Sequence, residues 1–359
     1  MIQNKMKIAL ILPANVWYCP FVNIYTKFLD REKVDYDIIS WNKDGNEKQG
    51  IQFDKQYKTK GKFTKFIPYF EFASFLKKTI KQNKYDKLIV FTPQVAIFLC
   101  NFLKKHYKGK YIFDYRDLSI EQMLPFKFPF KKVLRNSYAN VISSPGFKRC
   151  LPAGYNYLLS HNFDIDAVRR ALKEEDEKPL ESKHINVLTI GGIRDYSSNI
   201  EVVKSLANKE DFLLQFVGKG AAAGRIEYYA KENGVKNIEF EGFYPKERES
   251  GYIKQATFLN IFYPRVITHD TALSNRFYNA LIYRKPMIVT TDTTQGDYVE
   301  QNRLGLSLCN CENLDKKMKD YLDSFDYSSF KSRCNELLSG FLQDYNLWER
   351  QVKEFIRLS

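Results

Sequence analysis

The sequence predicts an α/β protein of two domains, each built on a parallel sheet, and three observations carry that prediction. At 359 residues the chain exceeds one comfortable core, so two domains of roughly 150–180 residues are expected. Short, wholly apolar runs alternate with segments whose apolar residues recur at helical spacing, the pattern of βαβ units. The composition, 44% hydrophobic and 27% charged, is that of an ordinary globular chain. No window approaches the roughly 18 apolar residues of a membrane span.

In order, Met6 to Leu12 (MKIALIL) reads as a buried strand stopped by Pro13. The charge before this run mimics a signal peptide. Ile8 to Leu12 is too short for an h-region, however, and lacks a small-x-small cleavage site, so a cytoplasmic protein is expected. The loop Pro13-Ala14-Asn15 holds no glycine and is not a dinucleotide fingerprint. Ile24 to Leu29 reads as a helix and Tyr36 to Ser40 as the second strand. Between Lys65 and Lys84, Phe70, Phe75, Leu76 and Ile80 form one helical stripe. Leu88 to Phe91 is a strand, Gln94 to Lys105 a helix, and Tyr111 to Asp114 a strand ending at Tyr115-Arg116-Asp117.

Ligands of parallel sheets bind beyond the strand C-termini, which puts Asp114, Arg116 and Asp117 on the functional rim. Asp114 is expected to pair with Arg116; Asp117 is either a base toward a hydroxyl or a second partner of that arginine. In Met123 to Tyr138, aromatic residues, Pro and Lys alternate. Pro125 and Pro129 are expected to exclude a helix there until Val133-Leu134. Phe beside Lys suits contact with lipid headgroups. Asn140 to Ser144 ends another strand, with a short helix after Pro145. Ala167 to Ser182 reads as a solvated helix and linker, giving domains at 1–165 and 166–343.

The net charge of +14 is uneven. Basic residues crowd Lys55 to Lys65, Lys77 to Lys87, Lys104 to Lys110 and Lys127 to Arg135, with Phe63, Phe66, Tyr69, Phe70, Phe72, Phe75, Phe126, Phe128 and Phe130 interleaved. Such a surface suits the phosphates of nucleic acid or of an anionic bilayer, although part of it reads as an ordinary solvated face. No nucleic-acid reader motif is present, so nucleic acid is not an expected partner. The six cysteines and four histidines lack metal spacing, and no structural metal is expected.

The second half opens with the strand Ile185 to Ile190 and then Gly191-Gly192-Ile193-Arg194. Two glycines after a parallel strand let a phosphate approach the backbone, and an arginine two residues on can grip a diphosphate. Glycine pairs also serve tight turns. Leu213 to Val217 is a strand leading to Gly218-Lys219-Gly220; the helix Ala221 to Asn233 and the strand Ile238 to Phe240 follow, then Gly242-Phe243-Tyr244-Pro245. In Thr268 to Thr291 a polar run opens a helix carrying Leu273, Phe277, Ala280 and Leu281, which Arg284-Lys285 and Pro286 end before the strand Met287 to Val289. A polar loop feeding a helix N-terminus offers backbone amides to an anion. Arg276, in the first helical turn, either stands beside such an anion or is simply solvated. Val299-Glu300 to Leu306 reads as a strand-and-turn region, followed by helices at Asn313 to Ser324, Tyr327 to Leu342 and Asn346 to Leu358. The last carries Trp348, Val352, Phe355 and Ile356 as its apolar stripe.

Asn275-Arg276-Phe277-Tyr278-Asn279-Ala280, followed by Arg284-Lys285-Pro286-Met287-Ile288-Val289, resembles the sugar-nucleotide segment of family-four GT-B glycosyltransferases. The order VGKG, helix, NIEFEGFYP, helix, FLNIFYP resembles that family's C-terminal domain, and Leu158 to Asp164 its exit from the first domain. The resemblance implies two Rossmann-like domains with parallel sheets facing a central cleft, and a C-terminal helix, 344–359, returning to the first domain. It implies a nucleotide-sugar-dependent hexosyltransferase with no metal or other cofactor. The acceptor would be a glycan, in this type often polyprenyl-linked, used in bacterial surface polysaccharide such as capsule. An enzyme of this kind would lie peripherally on the inner face of the plasma membrane, against an anionic lipid surface.

By the same resemblance, Gly191, Gly192, Gly218, Ser274 and Asn275 surround the donor, and Phe243 and Tyr244 receive its base. Arg194, Lys219 and Arg276 neutralise the leaving diphosphate, His269 and Asp270 hydrogen-bond the donor sugar, and Asp117 serves the acceptor. Asn279 stands where the family has its ribose-holding Glu, and Thr271 where the partner acid lies eight residues earlier. The family's Lys after the arginine is absent from Asp195 to Asn199. A nucleic-acid-binding or non-catalytic binding protein, or a nucleotide-sugar epimerase, on the same scaffold are the alternatives.

Overall fold

The computed structural model describes residues 6–57, 66–174 and 183–358. The basic residues of 58–65 and the linker residues 175–182 lie outside the described residues. The chain divides into two compact units, Met1–His161 with Asp344–Ser359, and Asn162–Gln343.

The first unit contains seven parallel strands: β1 (Lys7–Ile11), β2 (Asp35–Trp41), β3 (Ile51–Phe53), β4 (Lys87–Phe91), β5 (Tyr111–Tyr115), β6 (Ala139–Ile142) and β7 (Tyr157–Leu159). They lie in the order β3-β2-β1-β4-β5-β6-β7. Helices α1 (Val22–Arg31), α2 (Ile67–Asn83), α3 (Pro93–His106) and α4 (Leu124–Asn136) connect them. Alternation along β1 explains its unbroken apolar run. Ala9 and Ile11 join a core that includes residues of α2, α3 and α4, whereas Ile8 and Leu10 face α1 and the C-terminal helix.

The second unit starts with α5 (Ile165–Lys173), then β8 (Ile185–Ile190), α6 (Tyr196–Leu206), β9 (Phe212–Val217), α7 (Ala223–Glu232), β10 (Ile238–Glu241), α8 (Glu249–Gln255) and β11 (Phe258–Ile261). It continues with α9 (Ile267–Thr271), α10 (Asn275–Ile282), β12 (Met287–Thr290), α11 (Thr294–Gln301), β13 (Gly305–Leu308), α12 (Leu314–Asp323) and α13 (Tyr327–Arg357). Its six-stranded sheet has the order β10-β9-β8-β11-β12-β13. In both sheets the first strand pairs with the second and with the fourth, so the winding reverses there and leaves a crevice beyond the strand C-termini. Both units are Rossmann-like.

Several elements differ from expectation. Helix α4 runs through Pro129. Pro125 sits in the first turn, where amides lack intrahelical partners, and only one turn precedes Pro129, so a single ladder bond near the frayed end is lost. On α2 the buried stripe is Phe72, Leu76 and Ile80, while Phe70 is exposed. The segment Thr268 to Leu281 is two helices, broken at Ala272-Leu273-Ser274. Val299 and Glu300 lie on α11, not on a strand. The two last helices are one, α13, of 31 residues. Its Phe330, Cys334, Leu338 and Phe341 belong to the second unit's core, and its Trp348, Val352 and Phe355 to the first unit's.

Candidate functional site

The loops after β8 and β9 meet by backbone alone. Gly191 (φ +92°) donates its N–H to Val217 O at 2.8 Å, and Ile193 N–H donates to Lys219 O at 3.1 Å. A Cβ on Gly218 (φ +135°) would fall 2.1 Å from Gly191 O, and one on Gly220 2.1 Å from Ile193 O. These glycines are therefore required by close approach, and they leave a hollow at the C-terminal end of β8.

Arg276 forms the floor of that hollow. It is only 7% exposed, and its guanidinium donates to Ile190 O (2.5 Å), Gly192 O (3.0 Å) and Asn260 O (3.2 Å). The arginine is not solvated, and most of its donors hold the ends of β8 and β11 rather than facing an anion. Ser274 caps α10, accepting from Phe277 N–H at 3.3 Å and donating its hydroxyl to Gln295 Oε1 at 2.6 Å.

A cavity of about 320 Å³ opens above this floor, and its lining includes Gly191, Gly192, Arg194, His269, Ser274, Asn275, Arg276 and Asn279. A second, of about 370 Å³, is lined by Gly191, Gly218, Lys219, Phe243, Tyr244, Lys246 and Glu249. The two share Gly191, Lys246 and Glu249. Residues far apart in sequence thus gather at the C-terminal ends of the second sheet. Arg194 is exposed, and Phe243 is 75% exposed with the Lys219 ammonium 5.9 Å from its ring centroid. His269 has Nδ1 3.2 Å from Pro264 O. A carbonyl only accepts, so Nδ1 donates here and Nε2 is left for another partner.

Two expected residues, Asp270 and Asp117, do not join the cavities, and neither does Thr271. Asp270 is held by Arg265, with Nε 2.9 Å from Oδ1, which leaves its carboxylate occupied by an ion pair. Thr271 is 2% exposed and gives its hydroxyl to Ile267 O within α9, so it does not stand in for an acid. Asp117 is exposed beyond β5 in the first unit. Beside it Asp114, fully buried, pairs with Arg116 (2.5 Å) and accepts from the Tyr25 hydroxyl (2.7 Å), the structural role expected of it.

Sequence reasoning missed Lys246, Glu249 and Gln295. Glu249 accepts from Tyr244 Oη at 2.8 Å and from Asn279 Nδ2 at 3.1 Å, and pairs with Lys246. Burial and this carboxylate together raise the Tyr244 phenol pKa, keeping it a hydrogen-bond donor. Among the described residues no three His, Cys, Asp or Glu side chains gather as a metal site, and no helix is long and apolar enough to cross a membrane.

No described protein family matches the chain by its sequence profile, and no curated protein matches it in sequence. Solved structures do match in fold. A sucrose-phosphate synthase from Thermosynechococcus elongatus superposes with a TM-score of 0.70 at 13% identity, over 99% of this chain and 100% of that one. The Anabaena protein HepE, solved in complex with UDP, superposes with a TM-score of 0.66 at 10% identity, over 97% and 100%. A glycosyltransferase from Rickettsia africae gives 0.66 at 14% identity, over 99% and 100%. At such identities the likeness is one of fold, and the fold is GT-B.

Proposed function

We propose that the chain is a glycosyltransferase that takes a hexose from a nucleotide-sugar donor bound in the second unit. The observation that carries this reading is the pair of joined cavities. One presents a glycine-edged loop, Arg194 and Lys246, which suit a diphosphate; the other presents Phe243 and Tyr244, which suit a flat base. A nucleoside diphosphate needs both in this adjacency. The fold is shared with a sucrose-phosphate synthase and a glycosyltransferase, and HepE, of the same fold, holds UDP.

In the reaction, Arg194, Lys246 and Lys219 offset the charge that develops on the leaving diphosphate, and the Gly191-Gly192 backbone lets it approach. His269 Nε2 accepts from a hydroxyl of the donor sugar. Fixed cations make a metal unnecessary in this scheme, so a chelator should leave turnover unchanged.

The acceptor we propose is a polyprenyl-linked glycan of a bacterial surface polysaccharide, met at the inner face of the plasma membrane. Helix α4 supports this. Leu124 and Phe128, one turn apart, are 80% and 73% exposed, with the exposed Lys127 and Lys131 beside them. On α2 of the same unit, Ile67 and Phe70 are 53% and 63% exposed, and Phe70 packs 4.7 Å from Phe98, which neighbours Phe126 of α4. Apolar side chains ringed by lysines fit an anionic bilayer.

Thermal shifts with UDP, GDP, CMP and dTDP, with and without Arg194→Ala, test the donor reading. One nucleotide should raise Tm, and the variant should lose that shift. No response to any of them refutes it. Co-sedimentation with anionic but not neutral vesicles, lost in a Leu124→Ser/Phe128→Ser variant, tests the membrane reading.

A further inference from the structure

A third cavity of the second unit, about 580 Å³, shares no lining residue with the two described above. Val299, Glu300 and Arg303 line it just ahead of β13, Gly305 and Ser307 on that strand, and Arg333 from α13. The strands of this sheet run parallel, with β13 at one edge. The cavity therefore opens toward the start of the edge strand, whereas the other two lie at strand C-termini.

Two polar groups in it lack partners. Arg333 is half-buried, its Nε is shut from solvent without a hydrogen bond, and its guanidinium has no ion pair among the described residues. Ser307 Oγ is likewise buried and unpartnered. Buried guanidinium donors are normally spent, as Arg284 spends its own on Leu281 O, Ile282 O, Ala171 O and Asn335 Oδ1. Asp326 also lines the cavity, but it is already used. It caps α13, accepting from the N–H groups of Ser328 and Ser329 at 3.1 and 3.3 Å and from the Ser329 hydroxyl.

Arg303 is exposed and, among the described residues, has no ion pair either. Two arginines without a counter-ion, beside an unused hydroxyl, suit a phosphate group. Tyr321 and Phe325, half-buried with ring centroids 5.7 Å apart, supply an apolar wall for the body of a ligand. The exposed Glu300 carboxylate can accept from hydroxyls.

Helix α11 joins this cavity to the donor side. Its C-terminal part carries Val299 and Glu300. Its first turn carries Gln295, which lines the cationic cavity and accepts there from Ser274 N–H at 3.0 Å and from the Ser274 hydroxyl at 2.6 Å. We propose that the third cavity is a regulatory site for a small sugar phosphate. Arg333 and Arg303 take the phosphate and Glu300 the hydroxyls, and occupancy is felt at the donor cavity because α11 shifts as one body. The regulatory part rests on the donor-site reading above; the ligand site does not.

Titration calorimetry on the full chain without nucleotide tests the site, using glucose 6-phosphate, AMP, inorganic phosphate and glucose. At least one of the first two should bind, with inorganic phosphate about tenfold weaker and glucose silent. Arg333→Gln should weaken that binding about tenfold or more, the worth of a hydrogen bond between charged groups. Arg194→Ala should leave it unchanged, which separates this cavity from the donor one. In titrations with UDP and GDP, the bound sugar phosphate should move a nucleotide Kd about fivefold in the native chain and not in Arg333→Gln.

Failure of both sugar phosphates to bind would overturn the proposal. So would binding lost in Arg194→Ala but kept in Arg333→Gln, or inorganic phosphate binding as tightly as either compound. Binding at Arg333 with an unmoved nucleotide Kd would overturn the regulatory role. If no nucleotide binds, the donor reading falls and the regulatory role with it, while the titrations without nucleotide still decide the ligand site. Arg333→Gln removes no hydrogen bond and should keep the native Tm; Arg303→Gln, at an exposed side chain, gives the same test if it does not.

Discussion

Both units place a loop after the central first strand of a similarly wound sheet, and they fill it with opposite materials. After β8 the loop is backbone: Gly218 and Gly220, which follow β9, close on the carbonyls of Gly191 and Ile193 where no Cβ fits. After β1 it is side chain. Asn15, fully buried, donates to Asn42 Oδ1 at 2.9 Å and accepts from the N–H groups of Lys43 and Asp44. Glu47, 7% exposed, accepts from the N–H groups of Val16, Lys48 and Gln49. The second unit keeps a hollow that an anion can enter, and the first has closed the equivalent place with amides and a carboxylate. One topology thus gives an open hollow or a structural plug according to whether glycine or Asn and Glu line the loop after the strand.

The comparison can be broken most violently at Gly218. In Gly218→Ala a Cβ meets Gly191 O at 2.1 Å on a backbone with φ +135°, so a loss of about 3 kcal/mol or more is expected. Far-UV circular dichroism in urea should show the second unit's transition at lower denaturant. Arg276→Ala comes next. It orphans three carbonyls in a buried place, and about 3 kcal/mol should be lost in the same experiment. Arg276→Lys should recover only part of this, since an ammonium cannot reach all three.

Asn15→Ala should cost about 2 kcal/mol, and in the other unit. Trp17, Trp41 and Trp348 all lie in the first unit, so tryptophan fluorescence should register this change while nucleotide-induced thermal shifts stay as in the native chain. A smaller effect is set by pH. His161 is buried, its Nε2 3.0 Å from Asp344, and burial lowers its pKa below the usual 6.5 despite that carboxylate. The folded ring is therefore neutral where the unfolded one takes up a proton. This contribution is present above about pH 6.5 and is lost as pH falls from there through the folded value. The fluorescence midpoint should drop between pH 7.5 and pH 5, and less so in His161→Gln. Arg194→Ala should change stability least, within about 0.5 kcal/mol, because the side chain is exposed. Its effect belongs to nucleotide affinity instead, and an unchanged Kd would remove Arg194 from the site.

The strands buried on both faces were legible, because β1, β4, β5, β8 and β12 are short, mostly apolar runs that no amphipathic helix would show. The edge strands β3 and β7, three residues each, carry too little pattern to be read. Helix α4 was hidden by Pro129, whose local cost is outweighed by the burial of Phe130, Val133 and Leu134. In the site, the glycine loops and the α10 N-terminus announced themselves through local spacing. The burial of Arg276 did not, because its three acceptors lie up to 86 residues away. Glu249 was invisible for the same reason: it meets Asn279 across 30 residues, and nothing in either segment points to the other.

Helix α13 has a consequence for how the molecule is made. Trp348 fills the first unit's core edge-on to Tyr25, 5.0 Å away, and the buried Lys87 ammonium rests on the carbonyls of Phe355 and Leu358. The second unit is one continuous stretch, Asn162–Gln343, whereas the first needs residues from both sides of it. On the ribosome the part synthesised first is therefore completed last. Its sheet face of Ile8, Leu10 and Phe91 waits for α13 while the later-made unit is already able to close, the reverse of the usual N-terminal-first order. During synthesis, protection by chaperones is needed longest by that uncovered sheet face.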